Sequence, residues 1–393
     1  MVFEDGSWQA REGKGLPDEN KAKPADLPDL WRAYWERLAA LSKFAVKEMA
    51  SLAKSCESRK LHEDARRCWG IVLDYDPDHA DALSRLGYKR LDAAGPPLPP
   101  EARQFLTELT KGWKSAPAGE ELSEETAAEK ARSARHRKVR SDHFLVESSY
   151  VEMSELHVLT QLAENTFHAY HTFFGHSTPL VEDRITFLVL RGGDEYDRFV
   201  DWSYPDDEAK RKFLKGLWSF LYEGNRSVAM RYDVREHIRD QVVHRTAEAL
   251  AVAQLGSWEL PWIWETLAMV FARETVGAGT YCITMSGSTV AEAFKEPREW
   301  PKKLRGIVEE GKDDDFRDVM KSSLNDLRGP RGAKAWSVMD FLMKTRPQGM
   351  RILMSASRGD GTRDRGEAAL GASMGWSCEE LDEFWRRYVR QRY

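Results

Sequence analysis

The residues best placed to do chemistry lie in two stretches, 241–251 (QVVHRTAEALA) and 258–268 (WELPWIWETLA). His244 and Glu248 are four apart, which sets an imidazole and a carboxylate on one face of a helix, one turn from each other. Leu260-Pro261 announces a second helix, because proline suits a first helical turn. That helix carries Glu265, seventeen residues beyond Glu248. Packed antiparallel, the two helices bring together three side chains of the types that hold a divalent cation. Arg245, in the same turn as His244, is a permanent positive charge beside them.

Other candidates carry less. His168 and His171 share a helix face and His176 follows, but no cysteine or acid stands beside them at ligand spacing, so they are expected to be exposed or hydrogen-bonded. Asp313, Asp314 and Asp315 lack the alternating ligands and glycine of a calcium loop, and are expected to begin a helix in solvent. Residues 329–334 (GPRGAK) are basic and glycine-rich without phosphate-loop spacing. The chain has no G-x-S-x-G element and no dinucleotide fingerprint, which removes those enzyme classes.

The surrounding elements alternate before they become helical. Residues 1–27 are poor in apolar groups and are expected to form a disordered arm. From Leu30 to about Ser55, Trp31, Trp35, Leu38, Leu41, Phe44 and Met49 recur with helical spacing. Helices are predicted over 61–73 and 79–91, separated by the turn Asp76-Pro77-Asp78. Residues 94–100 (AGPPLPP) open a Pro-rich and charged linker that runs to 140, with a helix over 101–113. Within it, Glu120, Glu121, Glu124, Glu125 and Glu129 precede Lys130, Arg132, Arg135, Arg137, Lys138 and Arg140, which suits the dipole of a helix capped by Ser123. No aromatic residue interleaves that run, so a solvated helix is favoured over a nucleic-acid patch. Strands are predicted over 144–151, 185–190 and 227–232, and helices over 154–174, over 194–202 and from about 234 onward. This is an α+β pattern.

Two resemblances follow from these residues. Residues 65–88 (ARRCWGIVLDYDPDHADALSRLGY) resemble a tetratricopeptide repeat: small Ala65, closing Pro77, and Leu86-Gly87-Tyr88 where a next repeat would begin. One and a half units are visible, fewer than a free-standing array needs, so 28–93 is expected to be a helical packing module rather than a partner-binding groove. The pair of stretches around His244 and Glu265 is similar to the gluzincin branch of zinc metallopeptidases, specifically the bacterial peptidase-MA-like family. There a helix with H-E-x-x-H precedes L-P-x-W-x-x-E-G-L-A, matched here by Leu260, Pro261, Trp262, Ile263, Trp264, Glu265, Thr266, Leu267 and Ala268. Ser141 to Glu147, Phe187 to Tyr196, Ala335 to Leu342 and Leu370 to Trp385 extend the similarity over 141–393.

The resemblance implies a thermolysin-like zincin domain with a helical C-terminal half. It also locates the departures: His244 and Glu265 keep the first and third ligand positions, Arg245 replaces the general-base Glu, and Glu248 replaces the second His. Arginine cannot accept a proton from zinc-bound water, so hydrolysis by the usual route should be absent. Three states of the site follow. In the first, expected here, His244, Arg245, Glu248 and Glu265 form a metal-free vestigial cluster that satisfies its own charges, with no catalytic residue. In the second, His244, Glu248 and Glu265 hold one divalent metal, zinc or manganese. In the third, Glu236 or Glu274 supplies a base. Trp258, Trp262 and Trp264 are expected to pack the core, with an aromatic peptide groove as the alternative, since in the family this region borders the cleft.

The bulk composition agrees with such a protein. The chain has 393 residues, 41% hydrophobic and 31% charged, with 59 basic against 64 acidic side chains and a formal charge of −5. Its length suits two to three domains, and the acidic balance argues against a general nucleic-acid binder. No run approaches a membrane-spanning length and no leader is visible, so a cytoplasmic location is expected as written, or an extracytoplasmic one if the chain has been trimmed. The four cysteines form neither a disulfide framework nor a C-x-x-C. The function expected is that of a pseudopeptidase, a peptide- or protein-binding scaffold or accessory subunit. The alternative is a divergent metal-dependent hydrolase.

Overall fold

The computed structural model describes residues 2–4, 7–9, 27–91, 96–126, 129, 135–217, 219–222, 227–232, 235–277, 297–359 and 365–393. It divides into two compact units, Met1–Tyr88 and Lys89–Tyr393. Among the described residues no helix is long and apolar enough to cross a membrane.

In the first unit, β1 (Val2–Glu4) and β2 (Ser7–Gln9) pair antiparallel within the segment expected to be disordered, and residues 10–26 lie outside the described ones. Three helices follow: α1 (Leu27–Ser58), α2 (His62–Tyr75) and α3 (Ala80–Arg85). Their core is Ala53, Cys68, Trp69, Val72, Leu73, Ala82 and Leu86, with Met49 packed against it. Leu41 and Phe44 are exposed despite their helical spacing, because α2 is less than half the length of α1 and covers only its later turns. Asp76 to His79 form the expected turn, and the His79 side chain accepts from the Ala82 N–H to start α3. The third helix is shorter than predicted. Gly87 takes a left-handed φ of 71° after Arg85, a conformation that costs glycine least.

The second unit is a mixed α+β structure built on a six-stranded sheet in the order β5-β6-β7-β8-β10-β9. A small ribbon of β3 (Lys89–Arg90) with β4 (Pro97–Leu98) precedes α4 (Pro100–Lys111). The sheet strands are β5 (Glu120–Glu121), β6 (Arg137–Arg140), β7 (Phe144–Ser148), β8 (Ile185–Arg191), β9 (Ser219–Tyr222) and β10 (Ser227–Tyr232). β7, β8 and β10 are parallel; β5, β6 and the edge strand β9 are antiparallel to their neighbours. A central parallel strand is covered on both faces, which explains the unbroken apolar run of β8. Phe187 stacks on Phe144 on one side, while Leu188 and Leu190 meet Tyr196, Phe199 and Phe220 on the other.

The connector expected over 94–140 therefore contributes sheet. Instead of a helix starting at Ser123, Glu120 pairs across the ladder with Arg140, and the two side chains form an ion pair. Opposite charges far apart in sequence satisfy a cross-strand pair as well as a helix dipole. Lys138, whose side chain is 3% exposed, turns inward to Glu129. Residues 127–128 and 130–134 of that run lie outside the described ones.

Helix α5 (Met153–Phe174) links β7 to β8, and α6 (Asp194–Ser203) and α7 (Glu208–Lys215) lead to β9. The remainder of the unit is helical: α8 (Arg235–Leu255), α9 (Pro261–Val276), α10 (Trp300–Glu309), α11 (Phe316–Lys321), α12 (Gly329–Thr345), α13 (Pro347–Ala356), α14 (Arg365–Met374) and α15 (Cys378–Arg392). Asp315 caps α11 as expected, but Asp313 is not in solvent. Its side chain is buried between Lys334 and Arg386, because Lys334 enters the core from α12 and needs counter-charges there.

Candidate functional site

The site is made by α8 and α9, joined through residues 256–260 as a helical hairpin. Gly256, at φ 71°, ends α8, and Pro261 occupies the first turn of α9, where its missing N–H costs nothing. α8 is buried on several faces: Val242, Val243, Ala247, Leu250 and Ala251 are all fully enclosed. His244 and Glu248 share that enclosure, as does Glu265 from α9, so the convergence expected from their spacing is present. Their donor atoms lie within 4.8 Å of one another. The structure also brings Arg245 to the same place.

These four side chains are paired. His244 Nε2 lies 3.2 Å from Glu265 Oε2, and Arg245 NH1 donates to Glu248 Oε2 at 2.5 Å. The rest of the guanidinium reaches the sheet edge: Nε donates to Ser219 Oγ at 2.8 Å and NH2 to the Ser219 carbonyl at 2.9 Å. The Ser219 hydroxyl in turn donates to Gln241 Oε1 at 2.5 Å, one turn before Arg245 on α8. Burial works against the charge on Arg245, but the hydrogen-bonded Glu248 carboxylate and nearby Glu265 hold its guanidinium above the ordinary arginine range.

Two carboxylates and one guanidinium leave these three side chains with one negative charge in excess. The hydrogen bond between His244 and Glu265 needs a hydrogen on Nε2, which the imidazole carries in either of its forms that protonate that nitrogen. The donor set also fits a divalent cation, since Glu248 can accept from Arg245 through one oxygen and offer the other. A cation must then share the enclosure with the guanidinium and displace the proton between His244 and Glu265. When bound, a metal would supply Lewis acidity, with His244, Glu248 and Glu265 holding it.

The other sequence candidates separate from this centre. Trp262 and Trp264 are buried, as core residues should be, and Trp258 is 49% exposed. Trp264 Nε1 donates to the Trp258 carbonyl at 3.1 Å and the two rings meet edge to face. Glu274 is bound by Lys344 at 2.9 Å, which leaves it engaged as a base candidate; the side chain of Glu236 lies outside the described ones. His171 uses both ring nitrogens, toward the Phe167 carbonyl and the Leu180 N–H, and His168 is exposed. Among the described residues the group of His244, Glu248 and Glu265 is the one cluster of metal-ligating type.

Two participants, Ser219 and Gln241, were not anticipated. β9 is four residues long, and nothing in the local pattern ties Ser219 to Arg245, twenty-six residues on. The usable signal is the apolar Phe220-Leu221-Tyr222 followed by Glu-Gly-Asn-Arg, a short strand running into hairpin residues. No family model matches the chain, and no curated protein or solved structure matches it either.

Proposed function

We propose that residues 141–393 form a gluzincin-like domain that has lost peptide hydrolysis and works as a peptide- or protein-binding scaffold or accessory subunit, preceded by a tetratricopeptide-like helical module. The observation that carries this is the position of Arg245. A permanently protonated group occupies the turn beside His244 where a base would act, and it is tied to Glu248 and Ser219. The helical hairpin with His244 and Glu265, and an antiparallel edge strand next to it, support the likeness to that fold. The outer edge of β9 is where an extended chain would add by backbone hydrogen bonds, beyond the Ser219 carbonyl that Arg245 already uses.

The test is incubation of the purified chain with a mixed peptide library, alongside Arg245→Glu with Glu248→His. No cleavage by the natural chain, and zinc binding gained by the double variant, are the expected results. Cleavage that Glu265→Ala abolishes overturns the proposal.

One observation favours a second reading, a divergent metal-dependent hydrolase: three buried donor side chains already lie within 4.8 Å. Elemental mass spectrometry after equilibration with zinc and manganese separates the two. One ion per chain, lost in Glu265→Ala, supports the hydrolase; no retained ion supports the metal-free scaffold.

A further inference from the structure

His171 lies in the last turn of α5, buried, with both ring nitrogens tied to backbone. Nδ1 stands 2.8 Å from the Phe167 carbonyl, one turn back, and Nε2 receives the Leu180 N–H at 3.2 Å. A carbonyl only accepts and an amide N–H only donates, so Nδ1 carries the hydrogen and Nε2 keeps its lone pair. These contacts admit the neutral ring in one tautomer and not the imidazolium. Leu180 sits midway along the segment 175–184 that joins α5 to β8. The ends of the segment are fastened elsewhere: the His176 N–H donates to the His171 carbonyl at 2.9 Å, and Arg184 Nε to the Ser141 carbonyl at 3.0 Å. Between them Ser177, Thr178 and Pro179 are exposed, whereas Leu180 and Val181 are half-buried.

The surroundings of the ring offer a positive charge no partner. Phe167 stacks on it with centroids 4.0 Å apart, and His176 meets it edge to face at 5.7 Å. The other titratable groups around it are His168 and Tyr170 on α5 and His143 from the turn before β7. Glu164 is engaged by His143 at 2.9 Å, Gln254 of α8 holds the Tyr170 hydroxyl, and Arg351 of α13 donates to the Phe173 carbonyl. Among the described residues no carboxylate pairs with His171. Burial first, then the neighbouring histidines, hold the imidazole below the ordinary histidine range.

We propose that His171 is an acid-operated latch: protonation at Nε2 removes the acceptor of the Leu180 N–H, and residues 177–183 lift from α5 while the helix and β8 stay folded. β8 is held independently, by the Ile185 N–H on the His143 carbonyl at 2.9 Å and by its ladders with β7 and β10. The closed latch requires the neutral ring, and the open one carries an ordinary histidine. Closure is therefore complete above about 6.5 and weakens by about tenfold per pH unit below it, until the closed form itself takes up the proton. The latch is independent of the chemistry at His244.

The experiment follows amide exchange of the full chain, resolved to Leu180 by mass spectrometry, from about pH 7.5 to about pH 5 with the intrinsic pH dependence of exchange removed. Expected is a fall in Leu180 protection of about tenfold per pH unit below about 6.5, with 160–170 and 185–190 keeping theirs. His171→Gln offers an amide oxygen near the place of Nε2 and does not ionise, so its Leu180 protection should be independent of pH. His171→Phe keeps an aromatic ring without an acceptor, and should show low protection at every pH. Should neither variant fold, the titration of the natural chain decides. Leu180 protection that is constant over the whole range, an acid loss that persists in His171→Gln, or a parallel loss over 160–170 and 185–190 overturns the proposal.

Discussion

Arg245 on α8 holds Ser219 on β9 through two donors, one to the hydroxyl at 2.8 Å and one to the backbone carbonyl at 2.9 Å. The edge of the sheet is thus fastened to the helix that carries the candidate site. Removing the guanidinium leaves Glu248 buried without its partner and frees β9. Arg245→Met should destabilise the second unit by about 3 kcal/mol, read by urea denaturation, with faster amide exchange over 219–222. Replacing both partners, Arg245→Met with Glu248→Leu, should recover part of that loss, because no charge is then stranded. Equal stability of Arg245→Met and the natural chain would show that the clamp is idle.

Acid should loosen the start of the sheet. Burial alone would raise the Glu129 carboxyl, but Lys138 and the N–H groups of His136 and Thr126 hold it down to about 2, against an ordinary 4.5. A depressed carboxyl stabilises the folded state fully above its unfolded value, and this contribution fades as pH falls from about 4.5 toward 2. Glu129→Gln should flatten the acid side of the stability profile. An unchanged profile in that variant would remove Glu129 from the acid response.

The C-terminal helices depend on one buried ammonium. Lys334 donates to Asp313 at 2.8 Å, to Asp382 at 2.5 Å and to the Asp314 carbonyl, which accounts for all three of its protons. Lys334→Met strands the Asp382 carboxylate and leaves Asp313 to Arg386 alone, and should cost about 3–5 kcal/mol. Hydrogen exchange should rise first in 378–392, where Asp382 and Arg386 are anchored. Protection equal to that of the natural chain would contradict this.

The tryptophans beside the site should divide by exposure. Trp262→Ala removes a fully enclosed ring and should destabilise by about 3–5 kcal/mol. Trp258→Ala should cost under about 1 kcal/mol and, if its exposed face receives a partner, weaken binding by about tenfold without unfolding. Comparing melting temperature with binding of a captured peptide checks both, and a Trp258→Ala variant that melts like Trp262→Ala would assign Trp258 to the core.

The sequence exposed the site wherever helical spacing did the work. His244, Glu248 and Glu265 converge because periods of four and a proline-started second helix leave little freedom. It also placed β7, β8 and β10, whose apolar runs are long. It failed where a charge pattern admits two partners: Glu120 and Arg140 suit a helix or a ladder, and the ladder wins because β6 must cover β7. It failed again where a polar side chain acts at long range. Ser219 and Asp313 look like solvent-facing residues until Arg245 and Lys334 are seen to need them.

The fastening of Arg245 to Ser219 also makes the site hard to convert one residue at a time. Changing Arg245 alone to Glu would set a third carboxylate beside Glu248 and Glu265 and opposite the Ser219 carbonyl, all acceptors with no donor among them. Changing Glu248 alone to His would leave the guanidinium facing an imidazole that offers it no charge. Both intermediates lose the sheet anchor or its counter-ion before any metal can compensate. The present arrangement therefore resists single exchanges: either substitution made alone runs uphill in folding stability, and only a paired change at 245 and 248 avoids stranding a charge.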